Sequence, residues 1–240
     1  MRARKRFVTA LALALLADGL FVLGTALADE QKVGAAAPKG AQVLFDGKDL
    51  SGWETAGGQP ADWKVEDGYM EVVPGKGDIR TKETFGPDFR VHVEFWLPLM
   101  EDKHSQGRAN SGVYLQGRYE IQVLDSYMNP TYEKGGVGAM YGILEPDHDA
   151  LKKAIKKPEE WNAYDITFHS PRVGDDGKVT KKGRITVRLN GVAIIDHGEF
   201  DHVTGGAMDE KLGTPGPLRL QDHGCKVRYR NIWLEPLAEK

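Results

Sequence analysis

The chain has 240 residues, with 32 Lys and Arg against 35 Asp and Glu, 40% hydrophobic residues and 9% aromatic ones. That balance excludes a disordered chain, a collagen and a coiled coil. A formal net charge of -3, with no basic stretch beyond the N-terminus, leaves no electrostatic footprint for nucleic acid.

Met1 to Ala28 reads as a secretory signal. Arg2, Arg4, Lys5 and Arg6 supply the positive start, Phe7 to Ala17 the apolar run, and Ala26-Leu27-Ala28 the small-residue cleavage pattern. Asp18 and Gly19 interrupt the run, which falls short of the roughly 18 apolar residues of a membrane span. The expectation is export to the periplasm or the exterior, with no membrane span once residues 1–28 are removed. Residues 29–40 read as a flexible lead-in and 41–237 as one domain. Cys225 is the single cysteine, so neither a disulfide, a thiolate metal cage nor a redox pair is available within the chain.

From Val43 onward, apolar and polar residues alternate with period two, and turn residues separate the runs. Trp63 to Glu66 leads through Asp67-Gly68 into Tyr69 to Val73, a hairpin signal. Phe89, Val91, Val93, Phe95 and Leu97 alternate with Arg90, His92, Glu94 and Trp96. After a polar loop from Pro98 to Ala109, Val113, Leu115, Tyr119, Ile121 and Val123 alternate with Tyr114, Gln116, Glu120 and Gln122. Helical spacing is confined to Pro146 to Lys157, where Leu151, Ala154 and Ile155 share a side. Strands follow at Tyr164 to His169, at Ile185 to Leu189, across Asn190-Gly191 to Val192 to Ile195, at Leu218 to Gln221, and at Val227 to Leu234. About a dozen antiparallel strands with at most one short helix predict an all-β sandwich or jelly roll.

Two segments carry the candidate chemistry. On the strands from Asn110 to Asp125, one face is apolar and the other presents Tyr114, Gln116, Glu120 and Gln122. Amides, a carboxylate and an aromatic ring suit sugar hydroxyls and the face of a pyranose; the plainer reading is a solvated outer sheet face. In Leu220-Gln221-Asp222-His223-Gly224, Gln221 and His223 share a face, and His223 is either an acid/base group or a structural strand-end histidine. The Gly-rich run Gly135 to Gly142 reads as a loop lining that site. His197, Glu199 and Asp201, and separately Asp147, His148 and Asp149, are weaker metal-ligand candidates. Phosphate-loop, dinucleotide, zincin and nucleophile-elbow motifs are all missing from the sequence.

An ordered set of short motifs adds a resemblance: Leu44 to Trp53, Trp63 to Gly68, Asn110 to Tyr114, Tyr119 to Asp125, Trp161-Asn162, Leu189 to Gly191, Leu220 to Gly224 and Arg230 to Ile232. Together they resemble the 3-keto-disaccharide hydrolase family, also described as keto-glycoside lyase/hydratase domains. The resemblance implies a concanavalin A-like sandwich acting on an oxidised sugar or glycoside whose C3 hydroxyl is already a ketone. It implies a base, an enolate stabiliser and a proton source: His223 or Glu120 as base, Asp125 as a further acid/base, and Arg108 and Asn110 polarising the ketone. Tyr114, Gln116, Gln122, Tyr141 and Gln221 would hold the sugar. A divalent cation would serve in place of the ketone-polarising groups; no other cofactor is implied. The Glu-x-Asp-x-x-Glu strand of family-sixteen glucanases is missing, which disfavours a two-carboxylate displacement. A lectin-like binding module, a conventional glucanase-like hydrolase and an envelope interaction domain are the competing readings.

Overall fold

The alternation folds as its period dictates. The structure is a computed structural model that describes residues 32–238; the predicted signal segment lies outside the described residues. In chain order the strands are β1 (Gln42–Phe45), β2 (Trp53–Thr55), β3 (Lys64–Glu66), β4 (Tyr69–Glu71), β5 (Ile79–Thr81), β6 (Asp88–Trp96), β7 (Asn110–Leu115) and β8 (Tyr119–Leu124). The helix α1 (His148–Ala154) precedes β9 (Trp161–His169), β10 (Arg172–Val173), β11 (Val179–Lys181), β12 (Gly183–Leu189), β13 (Val192–Phe200), β14 (Arg219–Leu220) and β15 (Arg228–Pro236).

A larger sheet runs β13-β12-β9-β6-β15-β4-β3, with β1 also paired to β15, and a smaller one runs β2-β5-β14-β7-β8. All strand pairs in both are antiparallel. Their inner faces share one core, in which Val91, Val93 and Phe95 of β6 are sealed together with Tyr119, Ile121 and Val123 of β8. The Tyr119 and Phe168 rings meet at 5.2 Å between the sheets, and the Tyr164 hydroxyl crosses to the Gln122 carbonyl at 2.5 Å. This is the all-β sandwich that the alternation predicts, in the concanavalin A-like form that the resemblance implies. Asp67-Gly68 and Asn190-Gly191 each place two successive residues at positive φ (47° and 80°, 52° and 85°), the geometry a two-residue hairpin turn needs.

Two features depart from the period-two reading. The β10–β11 hairpin and the three-residue strands β2 and β5 are too short to show a period. The outward side of β6 is partly sealed: His92 and Glu94 are fully buried. Gly34, in the predicted lead-in, donates its N–H to Glu94 Oε1 at 2.6 Å, and Asn231 Nδ2 donates to the Ala35 carbonyl at 2.8 Å. The lead-in is therefore anchored at Gly34–Ala35, where it covers a carboxylate.

Candidate functional site

The register of the smaller sheet lines up its outward polar positions. Glu54 lies opposite Arg80, Arg80 opposite Arg219, Arg219 opposite Tyr114, and Tyr114 opposite Glu120. One rung therefore crosses all five strands. Arg80 pairs with Glu54 at 2.9 Å. The Arg219 guanidinium lies 3.7 Å from the centre of the Tyr114 ring, a cation–π contact. The Tyr114 hydroxyl donates to Glu120 Oε2 at 2.9 Å and accepts from Gln221 Nε2 at 3.2 Å. Glu120 Oε1 has no hydrogen-bond partner among the described residues.

Gly112 makes room for this arrangement. It faces Gln122 across β8, and its carbonyl accepts the Gln221 N–H at 3.0 Å. A Cβ at 112 would lie 2.3 Å from Glu120 Oε1 and 3.0 Å from a Tyr114 ring carbon. Only glycine lets the carboxylate lie back over β7. Gly112→Ala is expected to displace the Glu120 carboxylate, costing about 1–3 kcal/mol of stability. The check is denaturant unfolding combined with turnover of the substrate proposed below: turnover should fall by at least about tenfold, or ~1.4 kcal/mol, in protein that still folds.

The amides beside Gly112 are used from one end only. Gln122 Nε2 donates to Gln106 Oε1 at 2.9 Å and to the Gly135 carbonyl at 3.3 Å, and Asn110 Nδ2 donates to the Gln106 carbonyl at 3.1 Å. Gln221 Nε2 is taken by Tyr114. The side-chain carbonyl oxygens of Asn110, Gln122 and Gln221 are buried and unpaired. Three unpaired acceptors, on β7, on β8 and just past the end of β14, form a set that a ligand's hydroxyl donors would satisfy.

Electrostatics distinguish the members of the rung. Burial pushes the Glu120 carboxyl up to about 7, although the Tyr114 hydroxyl and Arg219 both pull it down. Burial, reinforced by the neighbouring Glu120, raises the Tyr114 phenol, so it remains a donor across the neutral range. Arg219 Nε is 3.6 Å from Asp78 Oδ2, a loose pairing in which Nε makes no hydrogen bond.

Loops close in over these strands. The Glu120 N–H donates to Thr204 Oγ1 at 2.9 Å, and the Gly205 carbonyl lies 3.4 Å from the Tyr114 hydroxyl. The Gly-rich run extends the sheet edge, with Gly138 and Tyr141 donating their N–H groups to the Gln122 and Glu120 backbone carbonyls. Tyr141 is hydrogen-bonded to the half-exposed Tyr132 through their hydroxyls.

The structure thus gathers Asn110, Tyr114, Glu120, Gln122 and Gln221, with Tyr141 at their edge. The other predicted residues lie apart. Gln116 sits in the β7–β8 turn at φ 52°; its side chain donates to the Phe85 carbonyl and accepts from Ser170, so it braces the turn. Arg108 and Asp125 pair with each other at 3.1 Å beyond the end of the hairpin, and Asp125 also caps the Tyr127 N–H. His223 is exposed in the bend after β14, which Asp222 pins by accepting from the Gly75, Gly77 and Gly224 amides. Among the described residues, no group of three or more His, Cys, Asp or Glu is placed to hold a metal ion. Asp147 instead caps α1, and Asp196 and Asp201 are taken by the adjacent His197 and His202.

Arg219, Gly112 and Thr204 belong to the site and escape the sequence reading. Arg219 was legible, because it shares the parity of Gln221. Thr204 arrives on a connection without periodicity, so nothing local marks it.

An acceptor-rich shelf on a concanavalin-like sandwich defines a carbohydrate-active protein. Comparison with known sequences makes the class specific. Residues 40–235 match the 3-keto-alpha-glucoside-1,2-lyase-like domain, and the chain belongs to that family. Among solved structures, a candidate glycosyl hydrolase from Parabacteroides distasonis is 44% identical with a TM-score of 0.76, covering 84% of this chain and 85% of its own. Two further candidate glycosyl hydrolases from that organism, 24% and 22% identical with TM-scores of 0.59 and 0.58, share the fold. They cover 82% and 83% of this chain, and 99% and 95% of their own. No curated protein matches the chain.

Proposed function

We propose that the protein is an exported enzyme that cleaves 3-keto glycosides by 1,2-elimination, with Glu120 as the base. The observation that carries this reading is the Glu120 carboxylate: buried, raised to about 7, bound at Oε2 by Tyr114 and unpartnered at Oε1. A base poised near neutral pH is what abstraction of a carbon-bound proton requires. The family to which the chain belongs and its 44% identical candidate glycosyl hydrolase relative support a glycoside-acting enzyme.

In the proposed reaction the C3 ketone acidifies the C2 proton, which passes to Glu120 Oε1. The C2–H electron pair enters the enolate, whose oxygen faces the Arg219 guanidinium. Collapse of the enolate restores the ketone, forms the C1=C2 double bond and breaks the bond from C1 to the aglycone oxygen. That oxygen takes a proton, a role we assign to the hydrogen-bonded Tyr132 and Tyr141 hydroxyls at the edge of the site. Addition of water across C1=C2 makes the net change a hydrolysis. The Asn110, Gln122 and Gln221 carbonyls would accept from the remaining sugar hydroxyls. Arg108, pictured from the sequence as polarising the ketone, is neutralised by Asp125, so Arg219 takes that role here.

A two-carboxylate hydrolysis fits less well. Asp78, beside the rung, accepts the Asp222 N–H at 2.9 Å and faces Arg219, and Glu54, at the rung's far end, is paired with Arg80. The test is turnover of a 3-keto glucoside beside its unoxidised parent. Cleavage of the keto substrate alone, with an unsaturated or hydrated keto-sugar product, is expected. Cleavage of the parent at a comparable rate would replace this reading with a conventional glycosidase, and binding without cleavage of either would favour a lectin-like module.

A further inference from the structure

The larger sheet has its own outward polar face, on the far side of the core from Glu120. Its register sets Glu199, Arg184, His169 and Asp88 in one rung across β13, β12, β9 and β6. Beside this rung the β10–β11 hairpin, Leu237 and Ala238 line a cavity of about 690 Å³. Four permanent cations line it, Arg172, Lys181, Lys182 and Arg184, against two carboxylates, Asp88 and Glu199.

The carboxylates do not cancel that excess. Asp88 is occupied by Arg172, through bonds of 2.9 Å to each oxygen, and by His169 Nδ1 at 3.2 Å. Lys182 reaches Asp201 only at 4.0 Å. Lys181 and Arg184 are exposed and have no ion-pair partner among the described residues. The whole chain has a net charge of -3, so a local surplus of cations runs against its average. Such a concavity concentrates anions, and a guanidinium recognises a carboxylate or sulfate through paired N–H groups. Among the described residues no Phe, Tyr or Trp lines the cavity, which removes the broad stacking platforms a single-stranded nucleic acid uses. Thr167 adds a hydroxyl to the lining, suited to a ligand with hydroxyls of its own.

We propose that this cavity anchors an acidic glycan, its carboxylates or sulfates meeting Lys181 and Arg184, as a non-catalytic site separate from Glu120. The proposal is independent of the 3-keto chemistry.

Native gel electrophoresis of the signal-free protein in gels containing polygalacturonate, a sulfated glycan, dextran or polyphosphate tests it. Polygalacturonate or the sulfated glycan, whichever matches the site, should retard the wild type; dextran should not, and polyphosphate should do so far less. The exposed double substitution Lys181→Glu with Arg184→Glu should weaken retardation at least about tenfold while leaving the far-ultraviolet circular dichroism unchanged. Glu120→Gln should be retarded like the wild type. No retardation by either acidic glycan, equal retardation of the double variant, equal retardation by polyphosphate, or loss of retardation in Glu120→Gln would each overturn it.

Discussion

Replacing Glu120 by Gln is expected to reduce turnover of a 3-keto glycoside by roughly 10²–10⁴-fold, the range for removing a general base. The same substitution should make the protein more stable in alkaline solution. Burial holds the folded carboxyl at about 7 against a usual 4.5, so between these values the folded state binds more protons than the unfolded one. Stability therefore falls as pH rises through that window, and above about 7 the buried charge costs on the order of 3 kcal/mol. The neutral amide of the Glu120→Gln variant does not bear that cost. Melting temperatures of wild type and variant should coincide near pH ~4 and separate by pH ~8, with the variant higher. Wild-type turnover should rise through the same window as the base loses its proton. A variant that keeps full turnover, or that melts with the wild type in the alkaline range, would remove Glu120 from the proposed role.

Glu94→Gln is expected to be the most damaging conservative change on the opposite face. Burial alone would raise this carboxyl, yet hydrogen bonds from His92, Asn231, the Gly34 amide and Arg230 hold it at about 2. The Arg230 and Asn231 contacts are 2.7 and 2.8 Å. A depressed carboxylate stabilises the fold above its unfolded pKa, and the contribution is lost as pH falls from about 4.5 toward about 2. At neutral pH the variant should lose roughly 3 kcal/mol, about the value of the shift. Urea unfolding from neutral pH down to pH ~2 should show the two proteins converging. Limited proteolysis should find the segment near Gly34 released in the variant. A pH-independent difference would mean that shape, and not charge, sets the cost.

The sandwich was legible because its long strands alternate cleanly: the inward residues of β6, β8, β9 and β12 are the core. The same parity delivered Tyr114, Glu120 and Gln122 as a single polar face. What the parity could not show is depth. Glu94 and Glu120 both occupy outward positions, but one is sealed by a segment 60 residues away in sequence and the other by loops near residues 132 to 141 and 204 to 206. Nor could it show where a strand stops. Gln116 keeps the polar parity but falls in the turn, where positive φ redirects it, and Asp125 falls just past the end of β8 and pairs with Arg108. His223 follows Gln221 by two, yet β14 is only two residues long, so the alternation does not carry it onto the sheet.

That brevity also has a kinetic meaning. β14 fills the centre of the smaller sheet, between β5 and β7, and it brings Arg219 between Arg80 and Tyr114. Its neighbours β5 and β7 both lie in the first half of the domain, whereas β14 itself comes from near the end. Closing a chain over such separations is slow compared with forming the β7–β8 hairpin. The shelf is therefore expected to form only after a late insertion that completes the sheet. In refolding, recovered turnover should lag behind hairpin formation, and a chain still lacking everything from β14 onward should have a hairpin but no working site.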